Sequence, residues 1–304
     1  NALNALGKQA EMYYSGIKLT QFYGIEIDDF AHEVATLSLW LAEHQMNMMF
    51  KEKFGYAEAA LPLRDGGNII CDNSLRRNWE EVCPPKDEQG NAYEVYICGN
   101  PPFLGTTDRT AEQSADMKYA FSSFKSIGYL DIVSAWFWKG ANYIQGKVAK
   151  CAFVSTNSIC QGDQVSLLWR PIFDLKVSID YCYQTFPWSN NAKGKAAVHV
   201  IIVGLKNNND IRSTPKIFEI SGKELRVSEV NNISPYLAPG SNLCVVPRTK
   251  SFVQVSRMIF GNKPTDGGNL YLSEEEKQDF VNKFPQHANW IRKIVGASEF
   301  INGS

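Results

Sequence analysis

The residues best suited to chemistry in this chain are Asn100, Pro101, Pro102 and Phe103, which follow the apolar run Tyr93 to Cys98 and Gly99. Two consecutive prolines remove two backbone donors and fix the chain, so carbonyls are left free to accept. The Asn100 side-chain oxygen beside a free carbonyl makes a pocket with two acceptors, which suits a planar –NH2 group with two N–H donors. Accepting both hydrogens draws the nitrogen lone pair out of conjugation and makes it nucleophilic. Phe103 offers a flat face on which a ring can stack. Taken alone, the tetrapeptide also describes a plain turn closing a strand, because Asn-Pro pairs mark turns.

Two acids upstream give the tetrapeptide a context. Glu26, in Tyr23-Gly24-Ile25-Glu26-Ile27-Asp28, stands at the end of an apolar strand, where Rossmann-like folds hold a ribose diol. Ile27 is then in position to lie against an adenine face. Asp72, in Ile70-Cys71-Asp72-Asn73, follows the next strand, where it can accept from an adenine amino group. Each acid alone reads equally as a helix N-cap or a solvated strand end. The order of all three features before a strand ending in Asn-Pro-Pro-Phe is hard to assign to chance.

The elements that must position these residues alternate. Residues 22–27 read as a buried strand, Asp28 or Asp29 as an N-cap, and residues 30–47 as a helix with Val34, Leu37 and Leu41 at helical spacing. Strands are expected at 68–71, 93–98, 152–155, 177–185 and 196–205, and helices at 130–145 and 163–173. Strand–helix alternation at this spacing predicts an α/β sheet with helices on both faces. After Leu205 the chain turns polar and Ser-, Asn- and Pro-rich. Near the end, Ser273 with Glu276 forms a capping box that opens a helix. Two parts are expected, residues 1–206 and residues 207–304, with no internal repeat.

Composition is ordinary for a globular protein, with 44% hydrophobic and 21% charged residues, which argues against disorder. The seven cysteines are odd in number and form no CxxC pair, which fits a reducing cytoplasm and argues against a disulfide framework or a Cys-type zinc site. His32, Glu33 and His44 do not make a metal-binding HExxH, so no metal is expected. The longest apolar run is far too short to span a bilayer. A net charge of −1 argues weakly against nucleic acid. The charge is uneven, however: residues 1–138 are net −8, residues 139–220 net +5 and residues 221–304 net +2. An acidic part and a basic part can coexist in one nucleic-acid enzyme, because only one face need meet phosphate. Lys193 and Lys195, before the last long strand, are candidates for a phosphate contact or are simply solvated loop lysines.

The stretches GIEIDDFAHEVATLSLWLAEHQMN, NIICDNSL and YICGNPPFLG, in this order, resemble the amino-group DNA methyltransferases that make N6-methyladenine. The similarity is nearest to the methyltransferase part of Mme-type (type IIL) restriction–modification enzymes, in which one polypeptide joins a nuclease, a methyltransferase and a target recognition domain. RMIFGNKPTDGGNLYLSEEEK and WIRKIVGASEFING resemble the start of that recognition region. The resemblance implies a Rossmann-like S-adenosylmethionine-dependent methyltransferase sheet in residues 1–206, and a linker with the start of a target recognition domain in residues 207–304. It implies that Asn100, Pro101 and Pro102 hold the target amino group and that Phe103 stacks on an adenine flipped out of double-stranded DNA. Glu26 would take the S-adenosylmethionine ribose hydroxyls, and Asp72 the cofactor's adenine amino group, with Ile27 on that ring. Phe186 would be a second aromatic contact to the base, a role open to Trp188 as well. The transfer would be a direct in-line displacement, with no metal.

One part of the pattern is missing. The family carries a glycine-rich turn after a first strand, and the residues before Glu26 contain Gly7, Gly16 and, inside the strand itself, Gly24, but no glycine cluster. The resemblance therefore implies a fragment whose sheet lacks its first strand, central between the strand ending at Glu26 and the one ending at Asn100. Two inner edges would then be exposed and open to self-association, unless another segment fills the gap or the sheet closes differently. Weak or absent cofactor binding by this stretch is expected. The alternatives are a protein-glutamine or RNA amino methyltransferase, whose members commonly carry Tyr in place of Phe103, and a catalytically inert DNA-binding fragment.

Overall fold

The computed structural model describes residues 17–55, 66–105, 107–124, 127–188, 198–222, 224–246, 267–296 and 301–302. The chain divides into two compact units, Asn1–Pro247 and Arg248–Ser304.

In the first unit, β1 (Tyr23–Glu26) leads into the long helix α1 (Asp29–Phe54). Asp28 caps that helix, its side chain accepting from the Ala31 N–H at 2.8 Å. The helix overruns the expected 30–47 by about two turns. Met46, Met48 and Met49 are good helix formers, and the stop is Gly55 in the left-handed region at φ 78°. β2 (Asn68–Cys71) pairs with β1 in parallel, with Glu26 opposite Cys71. The short helix α2 (Trp79–Val82) and β3 (Val95–Gly99) follow. After the Asn100 loop comes α3 (Ala111–Ala120), which the apolar pattern did not announce. Its signal is the capping box of Thr110 and Gln113, whose side chains each accept from the other's backbone N–H, at 3.2 and 2.9 Å.

α4 (Ser134–Ile144) and β4 (Ala149–Ser155) come next, then α5 (Gly162–Gln164), a π-helical turn over Val165–Trp169, and α6 (Arg170–Asp174). Pro171 has no N–H to donate to the preceding turn, and the widened turn sits where that bond is lost. β5 (Val177–Trp188), β6 (Val198–Asn207), β7 (Lys216–Ser221) and β8 (Glu224–Glu229) complete a six-stranded mixed sheet in the order β3-β4-β6-β5-β7-β8. β3, β4, β5 and β7 run parallel, and β6 and β8 run against them. Pro187 is tolerated in β5 because β7 pairs only with Tyr181 to Tyr183, which leaves one edge unpaired there.

The core lies between this sheet and α4 and α6. Phe137, Phe153 and Trp169 are fully buried, their rings 5.3 to 5.9 Å apart. Gly140 lets α4 approach β4, since a Cβ there would lie 2.8 Å from the Phe153 ring. The opposite face of the sheet is less covered. Tyr96 is exposed, and Tyr181, Tyr183 and Phe218 are half-buried in an aromatic cluster in which Tyr183 stacks on Phe218 at 4.5 Å. The expected helical cover on both faces is thus found on one face of the larger sheet, while α1 packs on the smaller one.

β1 and β2 form a sheet of their own. Among the described residues, the edges of β1 and β3 between which the family pattern sets one more strand are unpaired. The second unit carries tight turns at Gly267 and Gly268, then α7 (Glu274–Lys283) with the expected capping box: Ser273 Oγ accepts from the Glu276 N–H, and Glu276 accepts from the Ser273 N–H. Among the described residues, no helix is long and apolar enough to cross a membrane.

Candidate active site

β3 delivers Asn100 to the carboxyl end of the sheet. The side chain is exposed, and among the described residues neither its amide nor the Pro101 carbonyl has a hydrogen-bond partner. Pro101 is buried and Phe103 half-buried against the core, so the tetrapeptide is anchored at alternate residues while its polar atoms face outward. The two acceptors read from the sequence are present and free.

The neighbouring strand ends gather further groups. β4 runs beside β3 with Gly99 opposite Phe153, so Thr156 and Asn157 emerge next to Asn100. β6 starts at the same end, with Ile201 opposite Ser155, and β5 finishes there, with Phe186 opposite Val200. Phe186 is half-buried, between Tyr183 at 6.4 Å and the more exposed Trp188 at 6.3 Å. Its strand is third from β3 in the sheet, about 14 Å across at ordinary strand spacing. Both aromatics weighed from the sequence therefore stand on this edge. Lys193 and Lys195 lie outside the described residues.

The two acids sit together at the carboxyl end of the small parallel sheet, where the Asp72 N–H donates to the Glu26 carbonyl at 2.8 Å. Glu26 Oε1 turns back on the chain, accepting from the Ile27 N–H at 2.9 Å and the Asp28 N–H at 3.3 Å, which leaves Oε2 outward. Asp72 Oδ1 accepts from the Asn73 N–H and Oδ2 from Arg77 Nε, each at 2.6 Å. These bonds, the backbone one foremost, hold its carboxyl below the usual range. Each carboxylate oxygen has a second lone pair, so both acids can still accept. Ile27 is 69% exposed, an apolar side chain left in solvent beside two carboxylates.

Residues that sequence reasoning passed over tie this corner to the Asn100 region. Asp116, on α3, accepts from Asn73 Nδ2 at 2.8 Å and Arg76 Nε at 2.6 Å. Lys139, on α4, donates to the Leu75 and Arg77 carbonyls at 3.0 and 2.7 Å. Burial pushes its pKa down to about 8. These contacts are tertiary and carry no local sequence signal. Among the described residues, no cluster of His, Cys, Asp or Glu is arranged to hold a metal ion.

Comparison with known proteins places the chain. The DNA-methyltransferase domain of MmeI matches residues 2–219, and the MmeI target recognition domain matches residues 239–304. DNA methyltransferase A of Bacillus subtilis (strain 168) is 45% identical over 293 residues, covering 96% of this chain and 32% of that protein. The type IIL restriction–modification enzyme MmeI, solved in complex with DNA, is 39% identical with a TM-score of 0.80, covering 95% of this chain and 38% of that one. The chain thus spans about a third of the length of these relatives. With the sheet, the strand-end carboxylates and the Asn-Pro-Pro-Phe turn already in view, the match over most of its length establishes that this chain belongs to the MmeI DNA-methyltransferase family.

Proposed function

We propose that the protein transfers a methyl group from S-adenosylmethionine to the N6 amino group of an adenine flipped out of double-stranded DNA, as the methyltransferase part of a bacterial, cytoplasmic restriction–modification enzyme. The observation that carries this reading is the pair of unpartnered acceptors, the Asn100 amide oxygen and the Pro101 carbonyl, at the end of β3. In this reading residues 1–206 do the chemistry, and residues 207–304 link to and begin the part that reads bases.

The donor set fits the cofactor. Two carboxylates at adjacent parallel strand ends, with an exposed isoleucine between them, are what a ribosyl-adenine needs: Glu26 for the ribose hydroxyls, Asp72 for the adenine amino group and Ile27 for the ring face. When bound, S-adenosylmethionine supplies an electrophilic methyl on a sulfonium. Asn100 and Pro101 accept both amino hydrogens of the target base and turn its lone pair outward. Phe103 stacks on the extruded ring, with Phe186 as the second aromatic. Stacking worth about 1–3 kcal/mol per base offsets an extrusion cost of a few kcal/mol. Pro102 adds no donor that would compete for the pocket. Lys193 and Lys195 are proposed phosphate contacts. The chain's own contribution is positioning, since attack and departure lie in line at one carbon.

The test is methyl transfer to unmethylated duplex DNA by the whole protein, with the products digested to nucleosides. N6-methyladenine is expected, and Asn100→Ala should lower the rate by at least about 10²-fold. An undiminished rate in that variant, or methyl groups found only on cytosine, protein or RNA, would overturn the reading.

A further inference from the structure

We propose that Arg109 is a positioning residue that holds the Asn100–Gly105 loop in its amino-accepting shape. The proposal rests on the function argued above.

The loop cannot hold itself. Pro101 and Pro102 have no N–H, and among the described residues the N–H groups of Phe103, Leu104 and Gly105 find no partner. What is held instead is a pair of carbonyls. The Ile132 N–H donates to the Leu104 carbonyl at 3.1 Å. Arg109 Nε donates to the Gly105 carbonyl at 3.3 Å, and its Nη2 to the Leu130 carbonyl at 2.6 Å. One guanidinium therefore bridges the loop to the segment Leu130–Ile132, and Ile132 closes the same joint from the other side.

That segment is itself rigidly set. Leu130 and Ile132 are buried, and the Asp131 N–H donates to Gln164 Oε1 at 3.0 Å. The Ser158 hydroxyl donates to the Asp131 carboxylate, and Ser158 and Thr156 hydroxyls meet at 2.6 Å. Leu130 to Ile132 thus splints the Asn100 loop to the turn after β4, the strand paired with β3. Arg109 is the clasp on this splint, half-buried and without a carboxylate partner at salt-bridge distance among the described residues. A lysine offers a compact point charge in place of the rigid planar fork whose Nε and Nη2 reach these two carbonyls.

The experiment compares the whole protein with its Arg109→Ala, Arg109→Lys and Asn100→Ala variants. Hydrogen exchange is followed by mass spectrometry over residues 127–135, where the Ile132 N–H is held by the Leu104 carbonyl, and steady-state methylation on unmethylated plasmid DNA. Arg109→Ala should exchange faster at this segment and lose about 10²-fold in kcat, the scale of a displacement of about 1 Å. Its KM for S-adenosylmethionine should stay within about twofold, because an interaction that acts only on the reacting geometry moves kcat and leaves ground-state binding alone. Arg109→Lys should recover part of kcat. Unchanged exchange at this segment overturns this inference by itself, whether or not the protein methylates DNA. A loss in Arg109→Ala shared equally between kcat and the cofactor KM also overturns it, by making the residue a general structural one. An undiminished rate in Asn100→Ala overturns the function reading instead.

Discussion

Asp72 shows how one side chain can be held by its neighbours and still keep lone pairs to offer a ligand. Its two oxygens already bind the Asn73 N–H and Arg77, which fixes the carboxylate beside Glu26 and keeps it ionised. Because its folded pKa is depressed, its contribution to stability is complete above the unfolded value of about 3.8 and is lost as pH falls through the lower folded value. Cofactor affinity of the whole protein, measured by calorimetry, should therefore stay level from neutral pH down to about pH 5 as far as this residue is concerned. Asp72→Asn keeps the shape, removes the charge that Arg77 faces and weakens the acceptor. We expect about tenfold weaker S-adenosylmethionine binding, with kcat at saturation little changed. A variant that binds as well as the parent would remove Asp72 from the cofactor site.

At the scale of elements, small residues decide where aromatic ones can lie. Gly204 in β6 faces Tyr181 of β5 so closely that a Cβ would lie 2.3 Å from the Tyr181 ring. Gly204→Ala must push that ring aside, and with it the ladder through Tyr183 and Phe218. A loss of about 1–3 kcal/mol is expected, readable as a lower thermal midpoint. If the midpoint holds, Tyr181 has room that the packing denies. The same scale shows what the sequence could tell. The Asn100 tetrapeptide was legible because its chemistry is contiguous: two missing donors, one amide and one ring in four residues. Strand ends near Glu26 and Asp72 were legible from apolar runs, and α7 from its capping box. Helix α3 was missed because its apolar positions are weakly patterned, although Thr110 and Gln113 carried the cue. The clasp from Arg109 to Leu130 could not be read, since it joins residues 21 apart through a turn with no periodic signal.

For the whole molecule, the regional charge means less for DNA than the count suggests. Within the basic stretch, Lys150 and Lys206 meet around Asp180, at 2.8 and 3.0 Å, inside the sheet. Lys147 pairs with Glu80, and Arg212 with Asp210 and Glu94. Lys150 and Lys206 stitch β4, β5 and β6 together, and the other two tie down the turns beside them. Another cation, Lys139, joins the two sheets, and its amine is held near a pKa of about 8 by burial alone. Folded molecules thus bind fewer protons at this lysine than unfolded ones between about pH 8 and its ordinary 10.5. Stability from this group rises with pH through that window and is level below it, where both states are protonated. Lys139→Met should flatten that rise in thermal midpoints taken from pH 8 to 10, and an unchanged slope would remove the lysine as its source.

The separation of β1 and β2 from the larger sheet has a mechanical consequence. A continuous ladder of backbone bonds would fix the Glu26–Asp72 corner and the Asn100 turn as parts of one plate. Here the described connections between the two plates are fasteners: Asn73 and Arg76 on Asp116, Lys139 on two carbonyls, and Tyr143 on the Cys83 carbonyl at 2.7 Å. Within this stretch, the placement of the Glu26–Asp72 corner relative to the Asn100 turn therefore rests on these side-chain bolts and on Leu75 and Trp79 packed into the core, each of which can be loosened one substitution at a time.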